Sequence, residues 1–274
     1  MPGAASLGMR AARTGALFAL FIGILIAPAK AADDHHAIWH RLLQAHVKPV
    51  SDGNSTAVDY AGMRASRDQL DRYLSALAQV SKADFERWSE PAQLAFLINA
   101  YNAHTVALIL TAYPDLDSIR ELGGWFSSPW EQAIAPLLGK TRTLDDIEHE
   151  MIREHYHEPR IHFAVNCASI GCPALRREAY TGDALEQQLS DQTRQFLRDR
   201  SRNRIEGNTL RVSKIFNWYG DDFTTGWRGI DSLSAFLARY RDALGLTDAQ
   251  TQALRSGELD IGFLPYDWAL NDTR

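Results

Sequence analysis

Residues 89–114 read SEPAQLAFLINAYNAHTVALILTAYP, and the fold turns on them. Ser89 is a good N-cap, Pro91 suits a first helical turn, and Pro114 forbids continuation, so a helix is predicted over about 90–112. Apolar residues fall on nearly every side of it. Such a helix has no face to give to water and is expected at the centre of the molecule. Asn99, Asn102 and Thr105 recur at three-residue spacing inside it, with Tyr101 and His104 between them. Burying an amide without partners costs about 1–3 kcal/mol, so loop backbone, water or a ligand must meet these groups. The ordinary outcome is that Asn99 and Asn102 pin the backbone of a neighbouring loop; the sharper one makes them the floor of a site.

Outward from this helix, apolar residues at helix spacing predict further helices over about 38–47, 67–80, 183–200, 232–244 and 248–255. Thr143-Leu-Asp-Asp146 resembles a capping box with Asp in place of Glu and opens a helix to about His155. Residues 160–166, RIHFAVN, alternate enough to be read as a strand, and 205–212 as a hairpin turning at Gly207-Asn208. Residues 51–59 read as a polar loop and 116–141 as an irregular surface excursion. Helices outnumber strands, so the expected fold class is α+β: one mainly helical domain with a small, mostly antiparallel sheet.

The chain has 274 residues, 45% of them hydrophobic, enough for a large core. Residues 1–31 hold three bases (Arg10, Arg13, Lys30) and no acid, then an apolar run from Gly15 to Ala27 and Ala29-Lys30-Ala31, a small-x-small cleavage pattern. They are expected to be a signal peptide, the run being short of the about 20 residues that span a bilayer. Residues 32–59 would follow as an N-terminal helix and polar loop, and 60–271 as the main domain. The expected setting is outside the cytoplasm, periplasmic or extracellular, with no membrane span once the signal is removed. Without residues 1–31 the charge is 26 basic against 34 acidic residues, net −8. That balance argues against nucleic acid and anionic membrane surfaces as partners, which both call for a basic face.

Chemistry concentrates between Glu148 and Cys172, where four of nine histidines (His149, His155, His157, His162) and both cysteines lie. In an oxidising compartment Cys167 and Cys172 are disulfide candidates. Alternatively Cys167 is a nucleophile, which needs a base and usually a group to orient that base. His162 is one candidate base, although on a strand five residues would place it opposite Cys167. His149 and His104 are others. A metal site lacks the usual spacing: no second His stands at the helical offset from His149-Glu150, and the cysteines are not two residues apart. No metal and no cofactor is therefore assigned. Of seven tryptophans, Trp125, Trp130, Trp218, Trp227 and Trp268 fall in loops or element ends, where they line a groove or pack beneath long loops.

Five blocks now add up to a known pattern: Ala95-Phe-Leu-Ile-Asn-Ala-Tyr-Asn102, Leu144-Asp-Asp-Ile-Glu-His149, residues 159–173, Val212-Ser-Lys-Ile-Phe-Asn-Trp-Tyr-Gly-Asp-Asp-Phe223 and Tyr266-Asp-Trp-Ala-Leu-Asn271. The chain resembles the domain-of-unknown-function 547 family over roughly Tyr60 to Asn271, as an exported bacterial member. The resemblance carries a polar set: Asn99, Tyr101, Asn102, Glu148, His149, His162, Asn166, Cys167, Ser169, Cys172, Ser213, Tyr219, Asp222, Tyr266 and Asp267. It brings no catalytic assignment. Three readings stay open. In the first, an envelope binding or structural module has a bridged Cys167–Cys172 pair. In the second, a papain- or transglutaminase-like thiol hydrolase or acyltransferase uses Cys167, with His162 or His149 as base and Asn99 or Asn102 as orienting or oxyanion group. In the third, the His/Cys site binds a metal.

Overall fold

The computed structural model describes Gly3 and residues 34–124 and 127–274. The expected signal peptide and Trp125 lie outside the described residues. Helix α1 (Ala37–His46) leads into β1 (Val47–Val50), which pairs antiparallel with β2 (Ser55–Val58). Here the expected polar loop over 51–59 is corrected: only the turn is loop, and all four residues of β2 are buried. Burial of its polar residues is possible because they find partners, as Thr56 Oγ1 does in donating to the Leu175 carbonyl at 3.0 Å.

Short helices α2 (Tyr60–Ala65), α3 (Arg67–Ala78) and α4 (Lys82–Phe85) then precede α5, which runs from Glu90 to Ile109. Every residue of α5 from Leu94 onward is buried, as expected of a helix with apolar residues on all sides. Helix α3 covers one side of it and α1 covers α3, with Trp39 stacked on Tyr73 at 5.7 Å. The excursion after α5 contains a small antiparallel pair, β3 (Ala135–Leu137) and β4 (Lys140–Arg142). Its end is the expected capping box: Asp146 N–H donates to Thr143 Oγ1 and Thr143 N–H to Asp146 Oδ2, both at 2.9 Å. Helix α6 (Asp146–Arg153) follows, wound as a π-helix, and packs on α5.

Residues 160–166 are not a strand. Pro159–Phe163 form a 3-10 turn in which Arg160, Ile161, His162 and Phe163 are all buried, so no face alternates with water. The Glu158 carboxylate caps this turn at Arg160 N–H (3.1 Å) and also holds the Arg160 guanidinium. The backbone on leaving it is held by the Asn102 side chain, and among the described residues no strand pairs with it. Apolar spacing alone cannot reveal that competition for backbone hydrogen bonds.

Helix α7 (Leu185–Arg198) packs on α5 and on the 159–163 turn. The predicted hairpin is present as β5 (Arg204–Glu206) and β6 (Thr209–Val212), with Gly207 at φ 59°, a conformation glycine adopts freely. Helix α8 (Ile215–Trp218) follows. The expected helix over 232–244 breaks at Tyr240 into α9 (Leu233–Arg239) and α10 (Arg241–Leu244). Helix α11 (Asp248–Ser256) leads to β7 (Asp260–Phe263), which joins β6 in parallel. Phe163, Phe196, Phe216, Phe223 and Phe236 form a second core here, distinct from that around α5. The fold is thus the expected mainly helical α+β, with three small sheets among the described residues in place of one.

Two buried histidines tie stability to pH. Burial, with the charge of His35 adding to it, holds His36 down to about 3, and burial alone holds His104 down to about 4, both from 6.5. Between those values and 6.5 the unfolded chain binds more protons than the folded one. Stability from these groups is therefore complete above pH 6.5 and declines with acidification, by at most about 1.4 kcal/mol per pH unit for each. Urea midpoints measured from pH 7 to pH 4 are expected to fall, and His104→Gln is expected to shallow the slope. An unchanged slope would contradict the assignment.

Candidate functional site

Helix α5 presents Asn102 to the loop that carries the cysteines. Its Nδ2 donates to the Ala164 carbonyl at 2.9 Å, and its Oδ1 accepts from Asn166 N–H at 2.8 Å. Asn166 in turn donates to the Pro173 carbonyl (2.7 Å) and accepts from Ala168 N–H (3.0 Å), closing the loop on itself. The C-terminal tail fixes the other side. Ile170 and Gly171 N–H groups donate to the Ala269 and Asp267 carbonyls, both at 2.8 Å, and Asn271 N–H donates to Ala168. Gly171 is required by this close approach, since a Cβ there would lie 2.9 Å from both the Asp267 carbonyl and the Tyr266 ring.

Within the loop Cys167 and Cys172 are joined as a disulfide, their Cα atoms 6.1 Å apart. Tyr266 lies over the bridge, its hydroxyl 3.0 Å from Cys167 Sγ and 3.2 Å from Cys172 Sγ. Ser169 Oγ donates to that hydroxyl at 3.0 Å, leaving its proton to point at the sulfurs. So bonded, neither sulfur is a thiolate, and the nucleophile reading does not apply to this form of the chain.

The bridge forms one wall of a cavity of about 240 Å³ where the two hydrophobic cores meet. Tyr101 enters from α5, Asp145, Glu148 and His149 from the start of α6, and His162 from the 3-10 turn. Trp130, Trp218, Tyr219, Tyr266 and Trp268 supply an aromatic wall, with Trp218, Tyr266 and Trp268 in mutual contact at 4.5–5.6 Å. His162 and Cys167 face one cavity after all, because the turn removes the opposite-face geometry of a strand.

His162 is buried, stacked on Tyr219 at 4.0 Å, and its Nε2 is 2.7 Å from Asp222 Oδ2. Its Nδ1 is buried without a hydrogen-bond partner. Arg153 grips the same carboxylate at both oxygens (2.7 and 2.9 Å) and lies over the Tyr219 ring at 5.0 Å. Burial opposes the Asp222 charge, but the bonds and charges of His162 and Arg153 outweigh it and hold the carboxyl well below its usual range. Glu148 is only 5% exposed and makes no ion pair among the described residues. Tyr101 and Tyr219 line the same space, and burial followed by the Glu148 charge pushes both phenols up. Burial, reinforced by Glu148 and opposed by His149, also raises Asp145.

The structure thus gathers Tyr101, Glu148, His149, His162, Cys167, Cys172, Tyr219 and Tyr266 around one space. Asp222 stands behind His162, while Asn102, Asn166 and Ser169 shape the cysteine loop. Asn99 is elsewhere: it pairs with both backbone groups of Tyr180 (2.8 and 3.0 Å) and does not line the cavity. His104 does not line it either. The Asp267 carboxylate accepts from Ala269 N–H within the tail, and the Ser213 hydroxyl from Ile215 N–H. Trp130, Trp218 and Trp268 line the groove, whereas Trp227 belongs to the second core. Among the described residues no three His, Cys, Asp or Glu side chains converge as a metal-ligand set. Asp145 and Arg153 were missed by sequence reasoning, although both stand four residues from His149, the spacing of one helical face.

Replacing Asn102 by Ala strands the Ala164 carbonyl and the Asn166 N–H in the core, and is expected to cost about 1–3 kcal/mol in urea unfolding. Amide exchange at Asn166 should accelerate with it; retained protection would show that the loop does not depend on this side chain.

A family model described as "Protein of unknown function, DUF547" matches residues 85–197. That span takes in α5, α6, the cysteine loop and nearly all of α7, and stops short of Tyr219, Asp222 and Tyr266. No curated protein and no solved structure matches the chain.

Proposed function

We propose that the protein is a ligand-binding module of the cell envelope, reading the cavity beside residues 85–197, which match the model of the DUF547 family, a family described as of unknown function. The carrying observation is the cavity itself. A buried carboxylate, Glu148, stands in it without an ion-pair partner, and the aromatic wall around it supplies apolar area with polar edges. The Cys167–Cys172 bridge supports this reading as a rigid wall, and suits the oxidising setting that the N-terminal sequence leads one to expect. Ligand-observed NMR with small amines, sugars and short peptides tests it. Hits are expected with the wild-type protein and not with Val165→Phe or Ile215→Phe, which fill the space from its lining. No hit sensitive to either change would sink the proposal.

One observation favours a second reading, a thiol hydrolase active when the bridge is reduced by a dithiol. The His162–Asp222 pair has the polarity of a base and its orienting acid, with the unpartnered Nδ1 left over for chemistry. In the reduced chain Nδ1 would take the Cys167 proton, the thiolate would add to an ester or amide carbonyl, and His162 would return the proton to the leaving group. Water would then release the acyl group. Iodoacetamide is expected to label nothing before reduction. Afterwards it should label Cys167 first, with the rate at pH 7 falling about tenfold in His162→Ala and Asp222→Asn. Equal rates in wild type and variants would remove this reading and leave the binding module in place.

A further inference from the structure

The acidic and basic side chains lining the cavity are one-sided. Two carboxylates, Asp145 and Glu148, line it, and no lysine or arginine does. The Arg153 guanidinium, over the Tyr219 ring at 5.0 Å, is already committed to Asp222 by two hydrogen bonds and donates to His149 Nδ1 at 2.9 Å. Tyr101 and Tyr219 line the same space, and the Glu148 charge, after burial, pushes their phenols up. His162 is held at Nε2 by Asp222 (2.7 Å), and its Nδ1 is buried and unpartnered. Glu148 is thus left on the cavity as a carboxylate without an ion pair among the described residues, while His149, accepting from Arg153 at Nδ1, has its Nε2–H 3.7 Å from Asp145. Around them stand Trp130 and Trp218, whose ring faces attract a cation, and Trp268, which already has the Arg120 guanidinium over its ring at 5.4 Å.

Resting on the binding reading above, we infer that the ligand enters with a protonated amine, an alkylammonium group. It pairs with Glu148 while its alkyl portion lies against the tryptophans. An organic cation fits better than a metal ion. An indole wall offers a metal nothing to coordinate, and among the described residues no three ligating side chains converge. A burial-prone carboxylate without a counter-charge is costly on its own, and an ammonium supplies the missing charge.

Tryptophan fluorescence titrations of the full chain test this with n-butylammonium, its neutral isostere n-butanol, and butyrate. n-Butylammonium is expected to bind at least about tenfold more tightly than n-butanol, and butyrate not to bind. Glu148→Gln keeps the size of the side chain and should remove most of that preference, and Asp145→Asn should weaken it less. Thermal melting checks that both variants are folded. Butanol binding as tightly as butylammonium, or Glu148→Gln retaining the full preference, would overturn the ammonium inference while the cavity remained a binding site. If none of the three probes binds, the inference falls, and the NMR comparison with Val165→Phe decides the binding reading separately.

Discussion

Helix α5 has no polar face, so folding must enclose it on every side while satisfying the amides it carries inside. Asn102 meets that demand by bonding to the backbone on both sides of Val165, and in doing so bends the chain there into the cysteine loop. One internal hydrogen-bond pair therefore links the core to the site. Asn99 discharges the same obligation toward Tyr180 and contributes only to packing. Two asparagines three residues apart thus have separate consequences, because the helix turns about 100° per residue and presents them to different neighbours.

The cavity inherits its character from how charge is distributed around it. Arg153 and His162 converge on Asp222 behind the Tyr219 ring, leaving that carboxylate balanced and the nearest strong cation occupied. Glu148, one turn earlier on α6 than Ile152, is buried at the cavity without an ion pair among the described residues, and its charge acts on Tyr101 and Tyr219. The π-helical winding of α6 belongs to the same picture, since wider turns of this kind frequently mark functional segments. The C-terminal tail completes the enclosure from the far end of the chain. Tyr266 covers the disulfide, Trp268 extends the aromatic wall, and Asn271 accepts from Tyr60 at 2.8 Å.

Local signals were readable wherever a local rule governs the conformation. Proline at both ends of α5, reciprocal capping at Thr143 and Asp146, and glycine at the 207 turn each act through their own backbone and were legible residue by residue. RIHFAVN was misread because its alternation reflects burial from all sides, and because its backbone partner, Asn102, lies more than fifty residues upstream. The same distance hid Arg153 as a partner of Asp222 and led Asn99 to be grouped with Asn102. Polarity in an apolar segment reports that a partner is needed, and carries no information on which one.

By itself, then, the sequence determined the class of fold, the buried central helix, the block holding the chemistry and the negative balance of charge. These follow from periodicity, capping and composition, which are properties of neighbouring residues. Only the tertiary structure decided that Cys167 and Cys172 are bonded, and that His162 pairs with Asp222. It alone placed Tyr101, Glu148, His149, His162, Tyr219 and Tyr266 around one cavity with three of the tryptophans. Such relations arise where separate elements are packed together to bury apolar surface. That packing is set by the sum of all side-chain shapes, and no single segment encodes it.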